Sequence, residues 1–212
     1  MPGLGKTQVA LQYACFSFDR RRYSHIFWVS ATTVDKLNQG FAKVLDCVGH
    51  PDRYHPDQST RLTAARRWLE EPNAEEPIDW LFVFDNVDKN SLDFLREHLP
   101  RKNMRGNILF TTRIEDVAKA VVHVAGTQHH TFKLQAPDSR TAVALLMNAA
   151  GADSNDMILS DVSKAERVVN CVGRLPLAIA QAASFMKQSH STLDTLLGLY
   201  QSERKSKVSS ST

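Results

Sequence analysis

The chain opens MPGLGKTQVALQYA, and the first residues able to do chemistry are Gly3, Gly5, Lys6 and Thr7. A triphosphate is held by backbone N–H groups that point inward and by a cation beside its β and γ phosphates. Glycines permit the tight curvature and the close backbone approach, and a helix starting there adds the positive end of its dipole. In such a loop Lys6 reaches the phosphates and the Thr7 hydroxyl holds Mg²⁺. The same residues also read as chance glycines ahead of a helix. The full pattern G-x-x-x-x-G-K-[ST] needs a glycine six residues before its lysine, and counting back from Lys6 passes Met1.

Three further stretches bear on that choice. In LFVFDNVD, four apolar residues lead to Asp85, the arrangement by which a rigid strand aims one carboxylate at a bound metal ion. By itself it is equally a strand that ends in a D-N turn. The following residue, where a second acid would polarise water, is Asn86, which cannot act as a general base. Asp88 either assists or caps the next helix. NILFTTR ends in two threonines and Arg113, a cation placed to sense a γ-phosphate or an arginine in a solvated loop. In GRLPLAIAQAASFM, Pro176 must occupy the first turn of a helix, with Gly173 ending the helix before it. That turn sets an apolar ring against an adenine, or is simply a helix–helix corner.

Alternating elements must position these residues. Residues 7–18 carry an apolar stripe at Val9, Tyr13 and Phe16 and read as a helix. HIFWVSA, 25–31, is a buried strand. Residues 33–48 place Leu37, Phe41, Val44, Leu45 and Val48 on one helical face, stopped by Gly49. Helices are predicted over 59–71, 91–99 and EDVAKAVV. Strands are predicted over 80–85, 107–112 and HTFKL, 130–134. After Pro137 only helices follow, over 138–150, 160–172, 175–188 and 192–202, and the tail ERKSKVSSST is expected to be disordered. The pattern predicts an α/β fold, a parallel sheet with helices on both faces, spanning 1–136. A small all-helical subdomain follows over 137–202, then a tail over 203–212. Ligands of such sheets bind at the carboxyl ends of the strands.

The 212 residues are 42% hydrophobic and 23% charged with net charge +3, ordinary for a globular chain and too mild to imply nucleic acid. Cys15, Cys47 and Cys171 lie far apart without metal-ligand spacing, which predicts buried free thiols in a reducing compartment. No run of about 18 apolar residues suggests a membrane span, no signal peptide opens the chain, and the expected location is the cytoplasm.

Taken in order, MPGLGKTQVALQYA, LFVFDNVD, ILFTTR and GRLPLAIAQAASFM resemble NB-ARC, the nucleotide-binding module of the STAND class of P-loop NTPases. The module occurs in plant disease-resistance receptors, animal apoptosome scaffolds and fungal NOD-like receptors, and the wording is most like the fungal branch. The resemblance runs from Met1 to about Tyr200. It implies Gly3, Gly5, Lys6 and Thr7 as phosphate and Mg²⁺ ligands, Asp85 as the Walker B acid, Arg113 as the γ-phosphate sensor and Pro176 beside the adenine. It implies a signal-transduction switch of innate immunity. ADP holds the module closed, ATP opens it, hydrolysis is slow or absent, and the open form self-associates and engages protein partners.

This sequence departs from the pattern in lacking the first glycine of the loop and the strand before it. That strand is expected between NILFTT and HTFKL. Its absence would leave unpaired backbone groups in the core at about 1–3 kcal/mol each. The expectation is that a functional protein starts upstream of Met1. The resemblance would also call for a winged-helix subdomain with a Met-His-Asp motif, an effector and a repeat array, which these 212 residues do not contain, so the expectation is that they supply at most a receptor's nucleotide core. One alternative is a degenerate module that binds no nucleotide and acts through protein contacts. Another is a DNA-linked regulator, resting only on Arg20-Arg21-Arg22 and the basic tail.

Overall fold

A computed structural model of the chain describes residues 3–71, 79–101, 106–122, 130–151 and 159–209. The chain divides into two units, one over residues 6–132 and one over residues 133–212 together with the first five.

The first unit is built on three parallel strands, β1 (His25–Ser30), β2 (Trp80–Asp85) and β3 (Gly106–Phe110), in the order β1-β2-β3. The register sets Phe27 beside Phe82 and Phe82 beside Ile108. Among the described residues, the α-helices α1 (Lys6–Asp19), α2 (Val34–Cys47), α3 (Gln58–Glu70), α4 (Leu92–His98) and α5 (Glu115–Val122) accompany them. Helices α2 and α3 start where the sequence supplies side-chain caps. Thr33 accepts from the Lys36 N–H at the start of α2, and Asp57 from the Thr60 N–H at the start of α3.

Parallel strands bury both faces, and alternation along β2 divides its side chains between them. Trp80, Phe82 and Phe84 face a core made with Phe27, Val29, Leu37, Phe41, Leu45, Leu69, Leu95 and Val117 from β1 and α2–α5. Leu81 and Val83 face the opposite side, with Ala10 and Ala14 of α1 and Tyr23. Helix α2 lies so close to β1 at Gly40 that a methyl group there would collide with the Val29 side chain.

Three expectations are corrected here. The stripe Val9, Tyr13 and Phe16 does not face the core. These residues are 53%, 37% and 49% exposed, and α1 buries Ala10, Ala14 and Ser17 instead. Small residues let the helix backbone approach the sheet, which the larger side chains would hold off. HTFKL forms no strand. A strand is completed by a pairing partner, and β-propensity alone supplies none. The cysteines are free but not buried, since Cys15 and Cys47 are exposed and Cys171 partly so.

The second unit packs α6 (Ser139–Ala150), α7 (Leu159–Cys171), α8 (Pro176–Ser189) and α9 (Leu193–Ser209). Leu146, Val168, Val169, Ile179, Ala183 and Leu196 form its centre. Asp138 caps α6 through the Thr141 N–H at 2.7 Å, and left-handed Gly151 ends it. Gly173, with φ +65°, turns the chain between α7 and α8. The tail is also corrected, because α9 runs on through Ser209. Glu203, Arg204 and Lys205 are good helix formers that extend an established helix without nucleation cost. The last three residues lie outside the described ones. Among the described residues no helix is long and apolar enough to cross a membrane.

Candidate functional site

The apolar run of β2 delivers Asp85 to the carboxyl edge of the sheet, and the chain then turns sharply. Asn86 takes a left-handed conformation, φ +63°, which asparagine tolerates better than most residues. Backbone bonds lock the turn. The Ala31 N–H donates to the Asp85 carbonyl at 2.7 Å, the Thr111 N–H to the Phe84 carbonyl at 3.0 Å, and the Val87 N–H to the Thr111 carbonyl at 2.8 Å. The tips of all three strands are thereby tied together around one carboxylate.

Two hydroxyls converge on that carboxylate. Thr7, in the first turn of α1, donates from Oγ1 to Asp85 Oδ1 at 2.9 Å, across 78 positions of sequence. Thr111, just past the end of β3, donates from Oγ1 to the same oxygen at 2.6 Å. The Thr111 oxygen in turn accepts the Asn86 N–H at 2.8 Å.

Lys6 adds positive charge at the start of α1. Its ammonium pKa is lowered, first by burial and then by the Arg113 charge. The two cations of the sequence reading are therefore electrostatic neighbours, and an anion between them would relieve their repulsion. Asp88 serves as a cap. It accepts the Lys89 N–H and caps a short 3-10 turn over Lys89–Ser91.

The remaining expected residues meet in the second unit. Gly3 and Gly5 adopt φ of +80° and +81°, conformations that suit glycine. The Leu177 N–H in the first turn of α8 donates to the Gly3 carbonyl at 3.2 Å, satisfying a donor that the helix start leaves without a partner. Pro176 is the first residue of α8, and Gly5 lies beside it. Within their own units, then, Lys6, Thr7, Asp85 and Arg113 form one group, and Gly3, Gly5 and Pro176 another.

Thr111 was missed by the sequence reading. Its signal is a hydroxyl residue just past β3, whose last residue, Phe110, pairs in register with Phe84, the residue before Asp85.

A family model for the NB-ARC domain matches residues 1–155. A nucleotide-binding leucine-rich repeat (NLR)-like protein of the fungus Hyaloscypha variabilis is 28% identical over 214 aligned positions, 94% of this chain. A putative late blight resistance protein homolog of Solanum demissum is 26% identical over 201 positions, 89% of the chain. The chain spans 20% of the first relative's length and 14% of the second's. A parallel sheet with Asp85 at a strand end, a lysine and threonine at the start of α1, and a family match across most of the sequence lead to one assignment: the chain belongs to the NB-ARC family, the nucleotide-binding module of STAND-class P-loop NTPases.

Proposed function

We propose that this chain is the adenine-nucleotide-binding core of a signalling switch, cycling between ADP and ATP with slow or no hydrolysis. The observation that carries the reading is the Thr7–Asp85 hydrogen bond. It joins the two residues that the sequence offers for a Mg²⁺–phosphate site, although they lie 78 positions apart in sequence.

The donor set suits Mg²⁺, a hard cation that takes oxygen ligands and shares its shell with phosphates and water. The Thr7 proton is committed to Asp85, so the lone pairs of its oxygen remain for the ion. Asp85 supplies negative charge beside it. When bound, Mg²⁺ would neutralise phosphate charge. Lys6 would counter the phosphate charge directly, and Arg113 would distinguish ATP from ADP by pairing with the γ-phosphate. Gly3 and Gly5 are assigned to the phosphate loop and Pro176 to the adenine on the strength of the family resemblance. We read residues 1–136 as the phosphate-binding subdomain and 137–202 as the helical subdomain.

Slow turnover follows from the groups after Asp85. Asn86 has no basic oxygen to activate water, and Asp88 is engaged as a cap. A switch also requires that ADP and ATP differ in their affinity for two conformations, because equal affinity shifts no population. The names of the relatives, an NLR-like protein and a resistance-protein homolog, support a signalling role in innate immunity. In it the module acts within a longer receptor, through protein partners and self-association.

The test is nucleotide content. The purified protein is denatured and its supernatant run on an anion-exchange column, with stoichiometric ADP as the expected result. Lys6→Ala should weaken nucleotide binding by at least about 100-fold, roughly 2.7 kcal/mol, with the circular-dichroism spectrum unchanged. A folded protein that carries no nucleotide and binds none on titration would instead identify a degenerate interaction module.

A further inference from the structure

We propose that Thr111 is a positioning residue that fixes the Asp85 carboxylate and thereby sets how strongly Mg²⁺ tightens nucleotide binding. The proposal rests on the nucleotide-switch reading above and assigns a role within that same site.

The direction of the hydrogen-bond chain follows from donor counting. A backbone N–H can only donate, so the Asn86 N–H places its hydrogen on Thr111 Oγ1. The Thr111 hydroxyl has one proton of its own, and it goes to Asp85 Oδ1 at 2.6 Å. Thr111 is 8% exposed, so water competes little for that proton.

Asp85 needs this second donor. The terminal torsion of an aspartate is broad, and staggered rotamer preference does not hold the plane of its carboxylate. Thr7 bonds Oδ1 alone, which leaves the plane free to swing about that contact. Thr111 bonds the same oxygen from just past the end of β3, a different part of the fold, and neither hydroxyl engages Oδ2. The two donors pin one oxygen and leave the other for the water shell of a cation. The backbone bonds that tie β2 to β3 run through the Thr111 N–H and carbonyl, independently of its hydroxyl. The hydroxyl is thus distinguishable from the fold it sits in.

Binding of ATP is measured by calorimetry in excess Mg²⁺ and again in EDTA for the wild-type protein, Thr111→Ser and Thr111→Val. The wild-type protein should bind more tightly with Mg²⁺, and Thr111→Ser should keep that gain. Thr111→Val should lose about tenfold of it, the scale of one charge-assisted hydrogen bond, with affinity in EDTA unchanged. A Thr111→Val protein that keeps the full Mg²⁺ gain, or loses affinity equally in both buffers, overturns the assignment. If Thr111→Val does not fold, Thr111→Cys, which keeps the size and offers only a weak donor, is read by the same criteria. Wild-type binding that is equal in Mg²⁺ and EDTA defeats the role of Thr111 and leaves nucleotide binding standing. No wild-type binding at all defeats both.

Discussion

The two faces of the sheet are built differently. One carries stacked and tilted aromatic rings, with Phe82 and Phe84 centred 4.2 Å apart and Phe41 5.4 Å from Phe82, covered by α2–α5. The other carries Leu81 and Val83 under Ala10 and Ala14 of α1, and there Ser17 Oγ is buried without a hydrogen-bond partner among the described residues. Lys6 and Thr7 ride on α1, the helix of the thinner face. Asp85 ends β2 in the alternation of Leu81 and Val83, so its side chain lies on the α1 side of the sheet, where Thr7 meets it. The contrast teaches that the aromatic core of one face fixes the strand that carries the carboxylate, while the carboxylate itself meets a lightly held helix on the other face. The Thr7–Asp85 bond ties that helix to the sheet.

The largest effect should separate the faces directly. Phe82→Ala should cost about 3–5 kcal/mol, the range for a large aromatic lost from a packed core, while Leu81→Ala should lie near the lower end of about 2–5 kcal/mol. Chemical denaturation reads both, and equal costs would break the comparison. A smaller effect comes from pH. Burial, and then the hydrogen bond with Tyr13, push the Tyr23 phenol up to about 12. A folded-state pKa above the unfolded value of 10.0 means that its contribution to stability is complete below that pH. The contribution fades as pH rises toward about 12. Wild-type protein should lose stability across that window, and Tyr23→Phe should lose less. Identical slopes would remove Tyr23 from the thin face's energetics. The smallest effect belongs to the outward side of α1, where Phe16→Gln should change stability by no more than about 0.5 kcal/mol. A loss of several kcal/mol there would show that this side is covered.

Much of the thick face was legible in the sequence. WLFVFD and HIFWVS are short apolar runs, and the 3.6-residue period of Leu37, Phe41, Val44 and Leu45 names the buried side of α2 correctly. The thin face was not. A reading that sends the largest apolar residues inward assigns Val9, Tyr13 and Phe16 to a core that α1 builds from alanines. HTFKL failed for a related reason, because strand formation depends on a neighbour that no local pattern encodes. For the candidate site, types and spacing in the sequence propose Lys6, Thr7, Asp85 and Arg113. Thr111 could not, because a threonine has no chemistry to announce until strand register sets it beside a carboxylate.

The left-handed turn at Asn86 has a consequence for how such a protein can change over generations. Replacing Asn86 with glutamate would install a second acid beside Asp85, and it takes few nucleotide changes to write. The backbone there already sits at φ +63°, where glutamate is disfavoured by about 1 kcal/mol or more. Such a mutation would therefore arrive together with a folding defect, and a lineage would need a compensating change elsewhere before keeping it. The shape of a single turn in this sense guards against a second acid beside Asp85.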